Sequence, residues 1–304
     1  PESLFFCPAA ASVGADRIAF AWLESTHGEQ RIAYRVTTKS GDSVSPIRYV
    51  EPVLRGREID CPRIGGGANS FVIAWSSKRS GRVPKISFRA RSFNASGAPL
   101  SEPLEMEPEG SAQALPPSLA VERRGDFTVA WQVLSAVGET PIRARMRRFL
   151  RTGRASSGVV EIGPITNASP ILATFRSDGI EGVEVAWGVR SKIRVQRYDR
   201  RLRPLGESRD VATANSFTLP DLAVDALGRS VLVWNGVGPQ VKALFLDDDL
   251  NPCEPVFDVS RDRPVSLAKV ALPGDDSAVF TVVELADEAL RLAVRKFSLA
   301  ACPP

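Results

Sequence analysis

Few residues in this chain can do chemistry, and their spacing excludes more than it offers. His27 is the sole histidine, which rules out multi-histidine metal centres, facial triads and the histidine-dense sites that hold quinone cofactors. A serine hydrolase would have to use His27 on its Gly-flanked loop, and no GxSxG word places a serine on a nucleophile elbow. No P-loop or dinucleotide fingerprint occurs, and Gly65-Gly66-Gly67 reads as a backbone turn, not a phosphate cradle. Asp247-x-Asp249-x-Asn251 with Glu254 behind it has the alternating oxygens of a calcium loop but lacks the glycine of its sharp turn, and reads as a solvated turn. No metal and no cofactor is expected. Cys7, Cys61, Cys253 and Cys302 are even in number, form no CxxC pair and lie away from the histidine, so they point to disulfides.

The elements that must position these residues come from repetition. Each of the five tryptophans closes a short β-rich run: IAFAW to Trp22, FVIAW to Trp75, FTVAW to Trp131, VEVAW to Trp187 and VLVW to Trp234. They stand 53, 56, 56 and 47 residues apart, and a sixth run without its Trp, VFTVV to Val283, follows after 49. That is the period of a propeller blade, not of a helical repeat. Upstream of each run a proline opens a strand of small or aliphatic residues, as in Pro117-Ser-Leu-Ala and Pro220-Asp-Leu-Ala, which suits an innermost strand. Turns such as Arg124-Gly125-Asp126 join that strand to the Trp run. A third run alternates apolar with basic residues, for example Ile142 to Phe149, so one of its faces is buried. A shorter fourth strand follows a Gly-Pro turn.

The recurring sequence of P-x-L-A, VAW, I-x-A-R-x-F and G-x-P-L resembles the tandem repeats of secreted and surface-attached bacterial β-propellers, and the resemblance covers nearly the whole chain. An all-β, six-bladed β-propeller of four-stranded antiparallel blades is expected, a single domain over 1–304. Its blades run over about 7–52, 53–108, 109–163, 164–212, 213–260 and 261–304. The last blade runs out of chain for its fourth strand, so Leu4-Phe5-Phe6, from the segment 1–6, is expected to complete it and close the ring. Cys7 and Cys61 precede the inner-strand prolines of adjacent blades and are paired on that ground; Cys253 and Cys302 follow the third strands of blades five and six and are paired likewise.

Propeller ligands sit at a mouth of the central channel. There the loops bring Lys78, Arg79, Arg82, Arg190 and Lys192 against Glu284, Asp287 and Glu288, a face of mixed sign. Asp60 and Asp221 flank inner-strand prolines and make the candidate carboxylate pair, with Lys78, Arg79 and Arg190 the candidate ligand contacts. A sialidase-like site would need a tyrosine, and Tyr34, Tyr49 and Tyr198 all fall on third or fourth strands, away from that mouth. The basic third strands of blades three and four, with Arg143, Arg145, Arg147, Arg194 and Arg197, form a candidate lateral patch for an acidic protein or an anionic glycan. They lack the interleaved aromatics that stack bases, and a net charge of +4 is too small to indicate nucleic acid.

No apolar run reaches the ~20 residues of a membrane helix. The chain opens at Pro1 with neither initiator Met nor leader, as after removal of a signal peptide, so a secreted, periplasmic or cell-surface location is expected. The functional expectation is a non-catalytic binding or assembly module for protein or glycan, with membership of a larger surface assembly as one form of it. The alternative is a carbohydrate-active propeller, lectin or glycosidase, working at the channel mouth.

Overall fold

The computed structural model describes residues 4–52, 56–79, 85–106, 117–133, 142–165, 171–177, 180–214, 220–236, 240–260, 263–264, 268–272, 276–286 and 289–299. All regular structure in them is β, arranged as six antiparallel sheets met in chain order. The protein is a six-bladed β-propeller. It divides into two compact units, Pro1–Gly163 and Pro164–Pro304, with three blades belonging to each.

Blade one shows how sequence makes a blade. Leu4–Val13, Arg17–Thr26, Glu29–Thr38 and Arg48–Tyr49 pair in that order. The Trp strand and the third strand are joined by the two residues His27-Gly28, at φ 53° and 78°, the positive angles that match a tight hairpin to the twist of its strands. His27 is exposed at that turn, as a surface residue. Blade two uses Arg57–Ile59 and Arg63–Gly66, then Ser70–Arg79, Lys85–Asn94 and Leu104–Met106. Blade six uses Arg263–Pro264 and Lys269–Ala271, then Ser277–Ala286 and Ala289–Ser298, with no strand beyond the last among the described residues.

The inner strands differ from expectation in one respect, and it corrects the expected ring closure. In blades one and two proline does not start the inner strand but interrupts it, whereas in blades three and five the strand begins right after Pro117 and Pro220. In blade one Phe6 pairs with Leu23 and Ala9 with Ala21, so Cys7 and Pro8 bulge opposite Trp22. In blade two Asp60, Cys61 and Pro62 bulge in the same way between Ile59↔Ser77 and Arg63↔Ala74. Because proline has no N–H to give, the ladder skips it and resumes upstream. Leu4, Phe5 and Phe6 therefore pair with Ser25, Glu24 and Leu23 of their own blade, not as the outer strand of blade six.

Both bulges carry a cysteine, and Cys7 and Cys61 form a disulfide with their Cα atoms 5.3 Å apart. Cys253 is also disulfide-bonded; its expected partner, Cys302, lies outside the described residues.

Blades pack face to face through the Trp strands. Trp75, fully buried, joins Ala19, Ala21, Leu23, Ile32 and Tyr34 of blade one in a common core. Trp131 packs on Val72, Ala74 and Phe88 of blade two, and Trp234 on Ala186, Ile193 and Val195 of blade four. Near the inner strands no room is left for side chains: a Cβ on Gly66 would fall 1.9 Å from the Ser12 carbonyl oxygen, and one on Gly67 2.7 Å from that of Glu122. The glycine run is a close-packing device within the strands of blades one to three.

Candidate functional site

The third and fourth strands of the blades are tied by a repeated ion pair. Arg89 meets Glu105 at 3.1 Å, Arg145 meets Glu161 at 3.6 Å, Arg194 meets Asp210 at 2.7 Å and Lys242 meets Asp258 at 2.8 Å. In every case the partners are 16 residues apart in sequence. In blades two, four and five they face each other directly across the ladder. The cross-strand pair fixes the register of the short outer strand. In blade one the same ladder position carries Ala33 and Tyr49. Removing a long cation and a carboxylate, and putting a ring in their place, leaves space beside the strand.

That space is a cleft of ≈ 430 Å³ between blades one and two, lined by Arg31, Arg48, Tyr49, Glu51, Pro52 and Arg91. The Arg31 guanidinium lies 3.8 Å over the Tyr49 ring, a cation–π contact, and donates to Glu24 at 3.1 Å. Tyr49 remains 40% exposed, so the ring is open to a ligand. Arg48 Nη1 donates to the Gly97 carbonyl at 2.8 Å, an oxygen shared with the Tyr34 hydroxyl at 2.9 Å. Arg91 donates through Nε to Ser101 O and through Nη1 to Val50 O, which seats blade two against the end of blade one.

Glu51 closes the back of the cleft. Its side chain is only 10% exposed and its Oε2 accepts from Arg89 Nη1 at 2.5 Å. The other oxygen, Oε1, is buried and accepts no hydrogen bond. Burial pushes this carboxyl above the usual range; Arg89 pulls it back, and so, more weakly, does the Trp75 indole, whose own N–H also stops short of a hydrogen bond.

Of the residues expected at the channel mouth, the two aspartates are engaged by strand contacts. Asp60 accepts from Ser76 Oγ at 2.5 Å within its own blade. Asp221 accepts from Lys269 Nζ at 3.1 Å and from the Val270 N–H at 3.0 Å, tying the inner strands of blades five and six. Both aspartates thus serve strand geometry. Lys78 and Arg79 end the Trp strand of blade two, and Arg190 sits exposed at a hairpin turn with φ 53°. Glu284 is buried and paired with Arg295 at 2.8 Å, so it is no mouth residue; Arg82, Asp287 and Glu288 lie outside the described residues.

The lateral arginine patch is corrected at its centre. Arg197 is 7% exposed, and its guanidinium is shared among Glu184, Gly228 and Asp248. Arg145 and Arg194 belong to the ion-pair series, and Arg147 donates to Ser157 O at 3.2 Å. Arg143 pairs with Val133 through its backbone; its side chain lies outside the described set. Asp247 caps its own turn by accepting from Asp249 N and Asn251 N, as a solvated turn does. Among the described residues no group of three or more His, Cys, Asp or Glu side chains is placed to hold a metal ion. No helix among them is long and apolar enough to cross a membrane.

Several solved structures share this architecture. The chain is similar to the Hadza microbial sialidase Hz136, with TM-score 0.61 and 10% identity, covering 98% of this chain and 66% of that one. It is similar to a protein of unknown function from Dyadobacter fermentans, with TM-score 0.62 and 9% identity, over 97% and 94% of the two chains. It is also similar to a mutant of the Aleuria aurantia lectin in complex with α-methyl-L-fucoside, with TM-score 0.56 and 11% identity, over 98% and 96%. What is shared is the fold. The chain spans just under two thirds of the sialidase, and no protein family or curated protein matches its sequence.

No motif points to the cleft residues Arg31, Arg48, Tyr49, Glu51 and Arg91. The signal that finds them is the basic–acidic spacing of 16, broken in blade one by Ala33 and Tyr49.

Proposed function

We propose that this protein is a non-catalytic glycan-binding propeller, secreted or displayed at the cell surface, and that the cleft between blades one and two holds the sugar. The observation that carries this reading is the cleft itself, walled by the guanidiniums of Arg31, Arg48 and Arg91 around a tyrosine ring that stays 40% exposed. Sugar hydroxyls accept from the arginines, and the apolar face of a pyranose covers the exposed part of the ring. A few placed polar groups around an aromatic surface is the usual composition of a small-ligand site.

The hydrolase alternative has less to stand on. Glycoside hydrolysis in most families uses two carboxyl groups on either side of the scissile bond, and the cleft lining contains one, Glu51. Export rests on the Cys7–Cys61 disulfide, because such bonds persist in oxidising compartments. The Aleuria lectin, solved with a fucoside, and the Hadza sialidase make glycans a reasonable ligand class for a chain of this fold.

The test is a glycan array read with the wild-type chain, Tyr49→Ala and Glu51→Gln. Binding by the wild type, weakened about tenfold or more in both variants at unchanged thermal stability, supports the reading. A wild type that binds no glycan, or variants that bind as well as it does, would sink it. Turnover of aryl glycosides that depends on Glu51 would move the protein to the hydrolase reading.

A further inference from the structure

We infer that the glycan taken by this cleft is acidic, and that Arg48, assisted by Arg91, binds its carboxylate. This rests on the glycan reading above and adds to it the charge of the ligand.

The cleft lining carries three guanidiniums, of Arg31, Arg48 and Arg91, and one carboxyl, of Glu51. Arg31 already has Glu24 at 3.1 Å, and Glu51 already has Arg89 at 2.5 Å. Arg48 has no carboxylate partner among the described residues; the acceptor it reaches is the Gly97 carbonyl. Arg91 gives two donors to carbonyls, and the carboxylate it approaches, Glu102, is 3.8 Å away and 92% exposed. Carbonyls satisfy N–H groups but leave the cation's charge uncompensated.

The cations of the repeated pair and the buried arginines are matched. Arg89, Arg145, Arg194 and Lys242 each have the carboxylate across their strand. The buried Arg148, Arg197 and Arg229 have two apiece. In the cleft Arg48 has no such partner among the described residues. A ligand carboxylate compensates the Arg48 cation, and the planar fork of a guanidinium suits it. A sulfate ester presents a similar charge with different geometry, so the test separates the two.

The full chain is titrated with oligogalacturonate, oligoalginate, hyaluronan oligosaccharide and sialyllactose, each beside its methyl-esterified or carboxyl-reduced counterpart, and with sulfated galactans. The expected result is one acidic glycan bound about tenfold or more tighter than its neutral counterpart at low salt, the difference shrinking as salt rises. Arg48→Gln, which keeps a donor for Gly97, should bring the affinity for the acid down to that for its neutral counterpart; Arg48→Lys should restore part of the difference. Equal affinity for acid and ester, or a preference untouched by Arg48→Gln, overturns the acidic-ligand inference and leaves the glycan reading intact. Stronger binding of sulfated glycans overturns the carboxylate assignment. Binding of none of them overturns both.

Discussion

Arg197 and Glu184 show how this protein treats a buried charge. Glu184 is fully buried and accepts from Arg197 Nε at 2.9 Å and Ser230 Oγ at 2.7 Å, while Arg197 reaches on to blade five. Arg197→Ala strands that carboxylate and should cost about 3–5 kcal/mol in urea denaturation, whereas Arg197→Met with Glu184→Leu should cost far less. Asp210 gives a pH signature. Hydrogen bonds from Arg194 first, then Lys192, hold its carboxyl down at about 2 from an ordinary 3.8. Its folded value is depressed, so its contribution is complete above the ordinary value and fades as pH falls through about 2. The stability advantage of the wild type over Asp210→Asn should therefore shrink as pH falls from about 4 to about 2. An advantage constant over that range would contradict the pairing.

At the scale of elements, the inner strands are limited by backbone approach. Gly66→Ala drives a Cβ into the Ser12 carbonyl and should destabilise the fold by about 1–3 kcal/mol or more in thermal melts, while Gly158→Ala, with nothing within 4 Å, should be neutral. The elements are largely legible in the sequence. The Trp words mark the second strands, alternation marks the third, and equivalent blade positions pair Cys7 with Cys61. The bulges are not legible, because a proline that starts a strand and one that interrupts it look alike until the partner register is known. The cleft is hidden for a related reason. Tyr49 lies away from the channel, where a propeller ligand is expected, and the ion pair it replaces becomes visible only once third and fourth strands are aligned. Arg197 reads as a surface residue because period-two alternation tells which face a residue shares, not whether a neighbouring blade covers that face.

At the scale of the whole molecule, the Cys7–Cys61 bond closes a loop spanning 54 residues between two blades. Chain entropy assigns such a closure about 4 kcal/mol. Cys7→Ser with Cys61→Ser should lower the denaturant midpoint accordingly, and an unchanged midpoint would show that the bulges hold themselves. The ion-pair series has a different consequence. Each surviving pair, Arg145–Glu161 for instance, stands at the position that blade one has given over to Ala33 and Tyr49, so on the proposed reading every blade that keeps its pair is a dormant copy of the ligand seat. Arg145→Ala with Glu161→Tyr begins to open a second, and a propeller with several open seats would gain avidity for a polymeric ligand without improving any one of them. On that reading, opening further pairs raises the valency of the molecule.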